Sequence, residues 1–163
     1  MPSPRISPCL WFDGQAEAAA RFYCAIFPNS RITSLLPYGA AGEQNGKPAD
    51  AILCVTFELA GQPFTALNGG PQFTFNEAIS LQVPCRDQDE IDHYWHRLTE
   101  GGGQPGQCGW LKDKFGVSWQ VFPETLMTRL AGPDTQAAAR AMNAMMTMTK
   151  MDAGALDRAF RGQ

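Results

Sequence analysis

The histidines are the first residues to consider for chemistry, because imidazole is a common metal ligand and general base. The sequence has two, His93 and His96. Their three-residue spacing would put both on one flank of a helix, where they could bind a metal ion. Neither lies on the apolar stripe of that helix, and only acidic residues stand close enough to complete a ligand set. We therefore predict exposed helix residues and no metal site here.

The thiols and one carboxylate in a turn are the other candidates. The cysteines form an odd, scattered set without a C-x-x-C pair, which predicts reduced, buried thiols and neither a disulfide framework nor a zinc site. None has a base and an orienting partner nearby in the sequence, as a catalytic nucleophile needs. Asp113, between two lysines at a hairpin tip, is typical of turn chemistry. No catalytic residue is assigned from these groups, which include Cys9, Cys24, Cys54, Cys85 and Cys108.

The hairpin around Asp113 is predicted to place hydrogen-bonding side chains on one face of its second strand. Residues 108–123 predict two strands joined by a short turn, and the second strand alternates in side-chain character. One face is suited to a core and the other to a partly polar pocket. The core face carries Val117, Trp119 and Val121, and the other face carries Ser118, Gln120 and Phe122.

Periodicity along the chain predicts a strand, a helix and three strands, and then the same order again with shorter later strands. The first run comprises strand 6–12, a helix from Asp13 to Pro28, and strands 30–38, 51–59 and 64–68. The glycine-rich segment 39–48 within it is predicted to be a loop. The second run comprises strand 78–85, a helix capped by Asp87 or Asp89, and the hairpin. Three short helices follow, at 124–130, 135–148 and 153–160.

The repeated order of elements indicates an internal repeat. A shift of 72 residues lays Trp11 on Val83, whereas a shift of 71 residues lays Phe12 on Val83. One step of register exchanges the two faces of a strand. The repeat is therefore predicted, while the face of the first strand stays open between the two registers.

Size and composition exclude several classes of function. The chain has 163 residues, is 44% hydrophobic and 18% charged, and carries a formal net charge of -3. It has no basic run, so nucleic acid is not an expected partner. Its apolar runs are short and its N-terminus lacks the layout of a signal peptide, so we expect a cytoplasmic protein without a membrane partner.

Four segments together resemble the PhnB-like family of the vicinal oxygen chelate superfamily: Trp11 to Tyr23, Phe27 to Ser30, Asp87 to Leu98 and Cys108 to Val121. That superfamily also holds glyoxalase I, bleomycin-resistance proteins and extradiol dioxygenases. PhnB-like members are often labelled demethylubiquinone methyltransferases. The resemblance implies an α+β fold of two βαβββ modules that enclose a cleft, usually in a homodimer. We expect the paired modules in residues 1–131, at about 5–70 and 75–123, and a C-terminal helical extension in residues 132–163.

The resemblance also implies where a metal ion would bind. The ligand positions of metal-using superfamily members fall approximately at Pro8, Asn68, Ser80 and Gln120. Proline cannot ligate through its side chain, serine is a poor ligand, and the two amides bring no charge. We therefore expect neither a metal ion nor another cofactor.

A small-molecule ligand in the cleft between the modules is the expected partner. Apolar side chains with a few hydrogen-bonding groups are typical of such a site, although polar residues on an open sheet can also simply face water. Two functions stay open. The preferred one is metal-free binding of a small molecule, and the alternative is a metal-dependent lyase, isomerase or dioxygenase of the glyoxalase type. The candidate ligand-binding residues are Leu10, Phe12, Asn68, Ser80, Gln82, Ser118, Gln120 and Phe122.

Overall fold

Two four-stranded sheets, each with a helix packed on one face, form the framework of the protein. A computed structural model describes residues 6–43 and 46–163. Each sheet lies in its own unit, Met1–Phe75 or Asn76–Gln163. This architecture, followed by C-terminal helices, confirms the predicted α+β fold of two modules with a helical extension.

The first unit contains a sheet in which the first and last strands of the module lie side by side. Strand β1 is parallel to β4, and the other neighbours are antiparallel, in the order β1-β4-β3-β2. The elements are β1 (Cys9–Phe12), α1 (Ala16–Ile26), β2 (Arg31–Pro37), α2 (Ala40–Glu43), β3 (Ile52–Leu59) and β4 (Gln62–Asn68).

Helix α1 covers one face of this sheet because its alanines and Tyr23 form an apolar stripe at helical spacing. Tyr23 is fully buried and stacks on Phe57, with ring centroids 6.4 Å apart. Phe57 in turn stacks on its cross-strand partner Phe64 at 5.4 Å. Aromatic burial of this kind makes the α1 face the core of the first unit.

The structure decides the face of β1. Leu10 is paired with the buried Ala66 and Phe12 with Asn68, so both lie on the face that α1 covers. The face assignment of the 72-residue register is therefore wrong for this strand, and that of the 71-residue register is right. Trp11 points to the opposite face, where its indole Nε1 donates a hydrogen bond to the Gly70 carbonyl at 2.8 Å.

The segment predicted as a loop at 39–48 contains the short helix α2. The Lys47 amide donates a hydrogen bond to the Gly42 carbonyl at 2.9 Å. A Cβ at position 42 would lie 2.5 Å from Tyr38 Cβ, so glycine permits the close approach. Residues 44–45 of this segment lie outside the described residues.

The second unit repeats the arrangement of the first and then adds three helices. Its sheet has the order β5-β8-β7-β6, with β5 parallel to β8. The elements are β5 (Leu81–Cys85), α3 (Gln88–Thr99), β6 (Gln104–Pro105), β7 (Trp110–Lys112), β8 (Ser118–Pro123), α4 (Leu126–Leu130), α5 (Thr135–Met146) and α6 (Ala153–Arg161). The side chain of Asp87 caps α3 by accepting from the Glu90 amide at 2.9 Å.

The C-terminal helices are fixed to the second unit by backbone and side-chain hydrogen bonds. The amides of Cys108 and Gly109 donate to the carbonyls of Met148 and Thr149 at 2.7 and 2.8 Å. The side chain of Gln88 on α3 accepts from the Ala153 amide at 2.9 Å. The extension therefore belongs to the packed structure of this unit. In the part of the chain that the structure describes, no helix is long and apolar enough to cross a membrane.

Candidate functional site

Asp113 holds the turn between β7 and β8. Its Oδ1 accepts hydrogen bonds from the amides of Phe115 (2.8 Å) and Val117 (3.1 Å), and its Oδ2 accepts from Trp119 Nε1 at 2.8 Å. The residue is only 3% exposed. A carboxylate with this many donors stabilises the turn and the indole position. The predicted turn role of Asp113 therefore extends into the core, through Trp119.

The face of the second sheet that points away from α3 carries the polar candidates. Gln82 and Trp110 both lie opposite Gln120, and Lys112 lies opposite Ser118. Gln120 Nε2 donates a hydrogen bond to Ser80 Oγ at 2.7 Å. The predicted alternation of β8 explains this grouping, because Trp119 and Val121 are buried on the other face.

One part of this face lies under the C-terminal helices and encloses a cavity of about 260 Å³, which we call the methionine cavity. The sheet contributes amide and aromatic groups, while the helices contribute thioethers and leucines. None of the described residues that line it is charged. The lining comprises Gln82, Cys108, Trp110, Gln120, Phe122, Leu126, Met127, Leu130, Met142, Met145 and Met151.

The amide of Gln120 is the best-placed polar group in the methionine cavity. Its Nε2 is held by Ser80, which fixes the side chain, and within the described residues its Oε1 accepts no hydrogen bond. Gln82 is exposed and Phe122 is buried. The site can therefore accept an apolar body and hydrogen-bond one polar group of it.

Another part of the same face lines a cavity of about 200 Å³, which we call the serine cavity. Ser118 contributes to it and is only 2% exposed. Its Oγ has no hydrogen-bond partner among the described residues. Trp110 lines both cavities, and the other lining residues here are Glu77, Gln104, Pro105, Gly106, Leu111 and Lys112.

Asn68 lies in the first unit and is committed to structure there. Its Oδ1 accepts from the Ala16 amide at the start of α1 (2.9 Å), and its Nδ2 donates to the Ile52 carbonyl (2.8 Å). It also lines a cavity of about 250 Å³ between Tyr38 and Asp13. Leu10 and Phe12 are buried under α1. Within the second unit the structure thus groups Ser80, Gln82, Gln120 and Phe122 and places Ser118 in the neighbouring cavity. Leu10, Phe12 and Asn68 belong to the first unit.

The donors at the positions that the resemblance implies for metal ligands do not fit a divalent transition metal. Both polar atoms of Asn68 are already hydrogen-bonded, and Ser80 and Gln120 bond to each other. All three are neutral, whereas such ions prefer imidazole, thiolate or carboxylate. Within the described residues, no three His, Cys, Asp or Glu side chains come close enough to hold a metal ion.

The thiols differ in burial. Cys85 is fully buried beside α3, and this burial, with smaller effects of the Glu90 and Asp87 carboxylates, raises the pKa of its thiol to about 12. Burial also raises the pKa of Cys24 and of Cys54. Cys9 is exposed, and Cys24, Cys54 and Cys108 are half-buried, so the prediction of buried thiols holds only for Cys85. His93 and His96 are exposed, as predicted.

The methionines are the part of the site that sequence reasoning missed. The malleable apolar surface of α5 was recognisable from its composition, but its partner was not. Two features of the sequence could have predicted the cavity: an apolar helix without an assigned partner, and a strand face that carries glutamines. In the structure these two features meet in the methionine cavity.

The two sheets, each with its first strand parallel to its last, define a glyoxalase-like fold of two modules. Residues 4–122 match the family described as 3-demethylubiquinone-9 3-methyltransferase. The chain belongs to this PhnB-like family. Helices α4 to α6 lie beyond the matched residues, so most of the helical wall of the methionine cavity does too. None of the curated proteins gives a significant match.

Solved structures agree with this assignment. The chain is 34% identical to a putative 3-demethylubiquinone-9 3-methyltransferase, a PhnB protein from Bacillus cereus, over 73% of this chain and 99% of that one, with a TM-score of 0.64. It is 20% identical to protein PA1353 from Pseudomonas aeruginosa, over 74% and 98%, with a TM-score of 0.58. It also resembles the fosfomycin resistance protein FosX from Listeria monocytogenes, in complex with Mn(II) and sulfate. That match has 18% identity, coverage of 80% and 98%, and a TM-score of 0.51. The last two similarities concern the fold alone.

Proposed function

We propose that this protein binds a neutral small molecule in the methionine cavity, without a metal ion. The observation that carries the proposal is the lining of that cavity, in which one fixed amide, Gln120, faces an apolar wall without charged residues. Burying a charged ligand against such a wall would be costly, whereas an apolar body with one hydrogen-bonding group is favoured. Methionine side chains adapt their shape, which suits ligands that vary in outline.

Metal-dependent catalysis of the glyoxalase type is the alternative function. It is supported by the fold similarity to FosX, whose structure contains Mn(II). The donor chemistry at Asn68, Ser80 and Gln120 favours the metal-free proposal. Elemental analysis of protein purified without chelators separates the two. A stoichiometric divalent metal would reverse our order of preference.

Methyl transfer, the activity in the family's name, is not included in the proposal. A nucleotide-like methyl donor is often held by a glycine-rich turn between a strand and a helix. In this chain the turn after β1 is Asp13-Gly14-Gln15 and the turn after β5 is Arg86-Asp87. Neither has the glycine-rich pattern, so binding of a small molecule remains the better-supported function.

The binding proposal is tested with two neutral probes, toluene and N-methylbenzamide, titrated into the full chain by heteronuclear NMR. Replacement of Met145 by alanine should weaken both probes, because its side chain lines the cavity. Replacement of Gln120 by leucine should weaken N-methylbenzamide more than toluene, because only the amide can pair with Gln120.

Met146→Ala is the matched control. Met146 is on the same helix and 61% exposed, and it does not line the methionine cavity. This variant should bind both probes as the parent chain does. Equal losses for Met145→Ala and Met146→Ala would contradict the proposed site.

We further propose a homodimer and a cytoplasmic location. Strand β2 is an edge strand of the first sheet. Two of its side chains are solvent-exposed, Leu35 at 40% and Leu36 at 54%. Exposed apolar groups on a sheet edge support self-association. The odd, scattered set of cysteines supports a reducing compartment.

A further inference from the structure

Ser118 has a buried hydroxyl that is unusual in this structure. Among the described residues, the only buried side-chain nitrogen or oxygen atoms without a hydrogen-bond partner are Ser118 Oγ and Arg97 Nε. Arg97 Nε still lies 3.5 Å from the Glu100 carboxylate. A buried hydroxyl without a partner destabilises the fold, so such a group invites a ligand that satisfies it. Ser118 lines the serine cavity, which places this hydroxyl at the wall of a partly open cavity.

The serine cavity is also lined by the ammonium group of Lys112, which pairs with the exposed carboxylate of Glu77. Lys112 lies directly opposite Ser118 across the β7–β8 pair, on the same sheet face. Its Nζ is 2.5 Å from Glu77 Oε1, and the two side chains are 33% and 62% exposed. The hydrogen bond and charge of Lys112 lower the pKa of Glu77, so this residue is an anion at neutral pH. Exposed ion pairs contribute little to stability, so a competing anion can displace Glu77 at low cost.

The remaining lining gives the cavity its chemical character. The side chain of Gln104 can donate a hydrogen bond, and Pro105, Trp110 and Leu111 provide apolar surface. The cavity therefore combines one cation, a hydroxyl, an amide and a small apolar wall. That combination matches a short organic acid better than an inorganic anion, which would leave the apolar wall unused.

We propose that the serine cavity binds the carboxylate of a small organic acid, which takes the place of Glu77 at Lys112 and accepts a hydrogen bond from Ser118 Oγ. Glu77 then acts as a built-in competitor that occupies Lys112 until the acid binds. This site is independent of the methionine cavity, which has no charged lining residue within the described chain and shares only Trp110 with it. Success or failure at one site does not decide the other.

The test is a titration of the full chain with propionate at constant ionic strength, followed by the amide signals of Lys112 and Ser118. Propionamide, the neutral analogue, is titrated in parallel. We expect propionate to bind and propionamide to bind at least about tenfold more weakly, because only the carboxylate pairs with Lys112. Equal affinities would overturn the proposal.

Three variants assign the roles. Glu77→Gln removes the competing carboxylate and should tighten propionate binding about two- to fivefold. Ser118→Ala removes the donor and should weaken it about five- to tenfold. Lys112→Gln should abolish binding. Because Glu77 is mostly exposed, Glu77→Gln keeps the proposal testable even if Lys112→Gln fails to fold.

Lys114→Gln is the matched control, since Lys114 is exposed, lies two residues further along and does not line the cavity. It should leave the affinity for propionate unchanged. Loss of binding in Lys114→Gln equal to that in Lys112→Gln would indicate a general charge effect and overturn the site. An unchanged affinity in Glu77→Gln would overturn the competition by Glu77.

Discussion

At the scale of single residues, Asp113 shows how one carboxylate can link a turn to a core. It accepts from two turn amides and from the indole of Trp119, which is itself only 2% exposed. The sequence motif of two lysines around an aspartate describes only the exposed part of this arrangement. The buried hydrogen bonds of Asp113 are the ones that stabilise the folded protein.

Asp113→Asn should therefore destabilise the protein by about 1–3 kcal/mol, because an amide cannot accept from all three donors and its own NH₂ would meet one of them. Urea unfolding, monitored by fluorescence, measures the change. Trp119→Phe removes one donor, and in the double variant the effects should be less than additive. Fully additive losses would show that Asp113 and Trp119 do not act together.

Cys85 gives a prediction about alkaline stability. Its thiol has an ordinary pKa of 9.0 that burial, followed by the Glu90 and Asp87 carboxylates, raises to about 12 in the folded state. Between pH 9 and 12 the unfolded chain releases this proton while the folded chain retains it. Stability must then fall as pH rises, by up to about 1.4 kcal/mol per pH unit from this group.

The measurement compares the free energies of unfolding of the parent chain and Cys85→Ala at pH 8, 9, 10 and 11. The variant should start lower, because a small cavity replaces the thiol, and should lose stability less steeply with pH. Parallel curves for the two proteins would refute a raised pKa at Cys85.

At the scale of elements, strand β8 separates two environments by simple alternation. Gln120 is half-buried, on the face with the cavities, and its neighbour Val121 is fully buried on the face that α3 covers. Gln120→Glu should change the free energy of unfolding by less than about 1 kcal/mol, because position 120 is only half-buried and water can hydrate the new carboxylate when no ligand is bound. The Ser80 hydroxyl can also turn and donate to it. Denaturant unfolding at pH 7 provides the number.

Val121→Glu is the comparison on the same strand. It forces a charge into a dry interior and should cost about 3 kcal/mol or more. A larger loss at position 120 than at 121 would mean that the faces of β8 are exchanged, and would remove Gln120 and Phe122 from the candidate site.

The success of sequence reasoning differed between β8 and β1 for a physical reason. In β8, polar and apolar side chains alternate, so the buried face is defined by period two. In β1, Leu10, Trp11 and Phe12 are all large and apolar, and the pattern does not distinguish the faces. Contacts outside the strand decide that case. Helix α1, the next element, covers Leu10 and Phe12, whereas Gly70 and Phe73, far along the chain, contact Trp11.

The cavities themselves were beyond prediction from sequence. The polar face of β8 was expected, but Ser118 and Phe122 are buried there rather than open to water. That burial depends on residues far along the chain, including the helices that follow the modules. No local pattern encodes such a contact, so the site could be predicted as a face but not as a pocket.

At the scale of the whole molecule, the proposed homodimer makes a direct prediction. Light scattering at micromolar concentration should return twice the chain mass of 17.8 kDa. Replacing Leu36 by lysine on the edge strand β2 should shift the mass toward that of one chain, because a charge on an edge opposes pairing. The matched control is Met146→Lys, at an exposed residue of α5 that does not line the methionine cavity. A mass near 17.8 kDa for the parent chain would contradict the proposal.

The backbone bonds from Met148 and Thr149 to Cys108 and Gly109 have a consequence for evolution. Gly109 has a φ of +77°, and a Cβ there would lie 2.5 Å from the Val121 carbonyl and 3.1 Å from Met151. A position inside the family's shared region is thus constrained by a segment outside it. Relatives that carry the extension should keep glycine at this turn and a pairing segment near 148–151 as a set. Relatives that end near residue 122 are free of the Met151 half of that constraint, but the positive φ and the approach to the carbonyl of residue 121 still favour glycine at this turn.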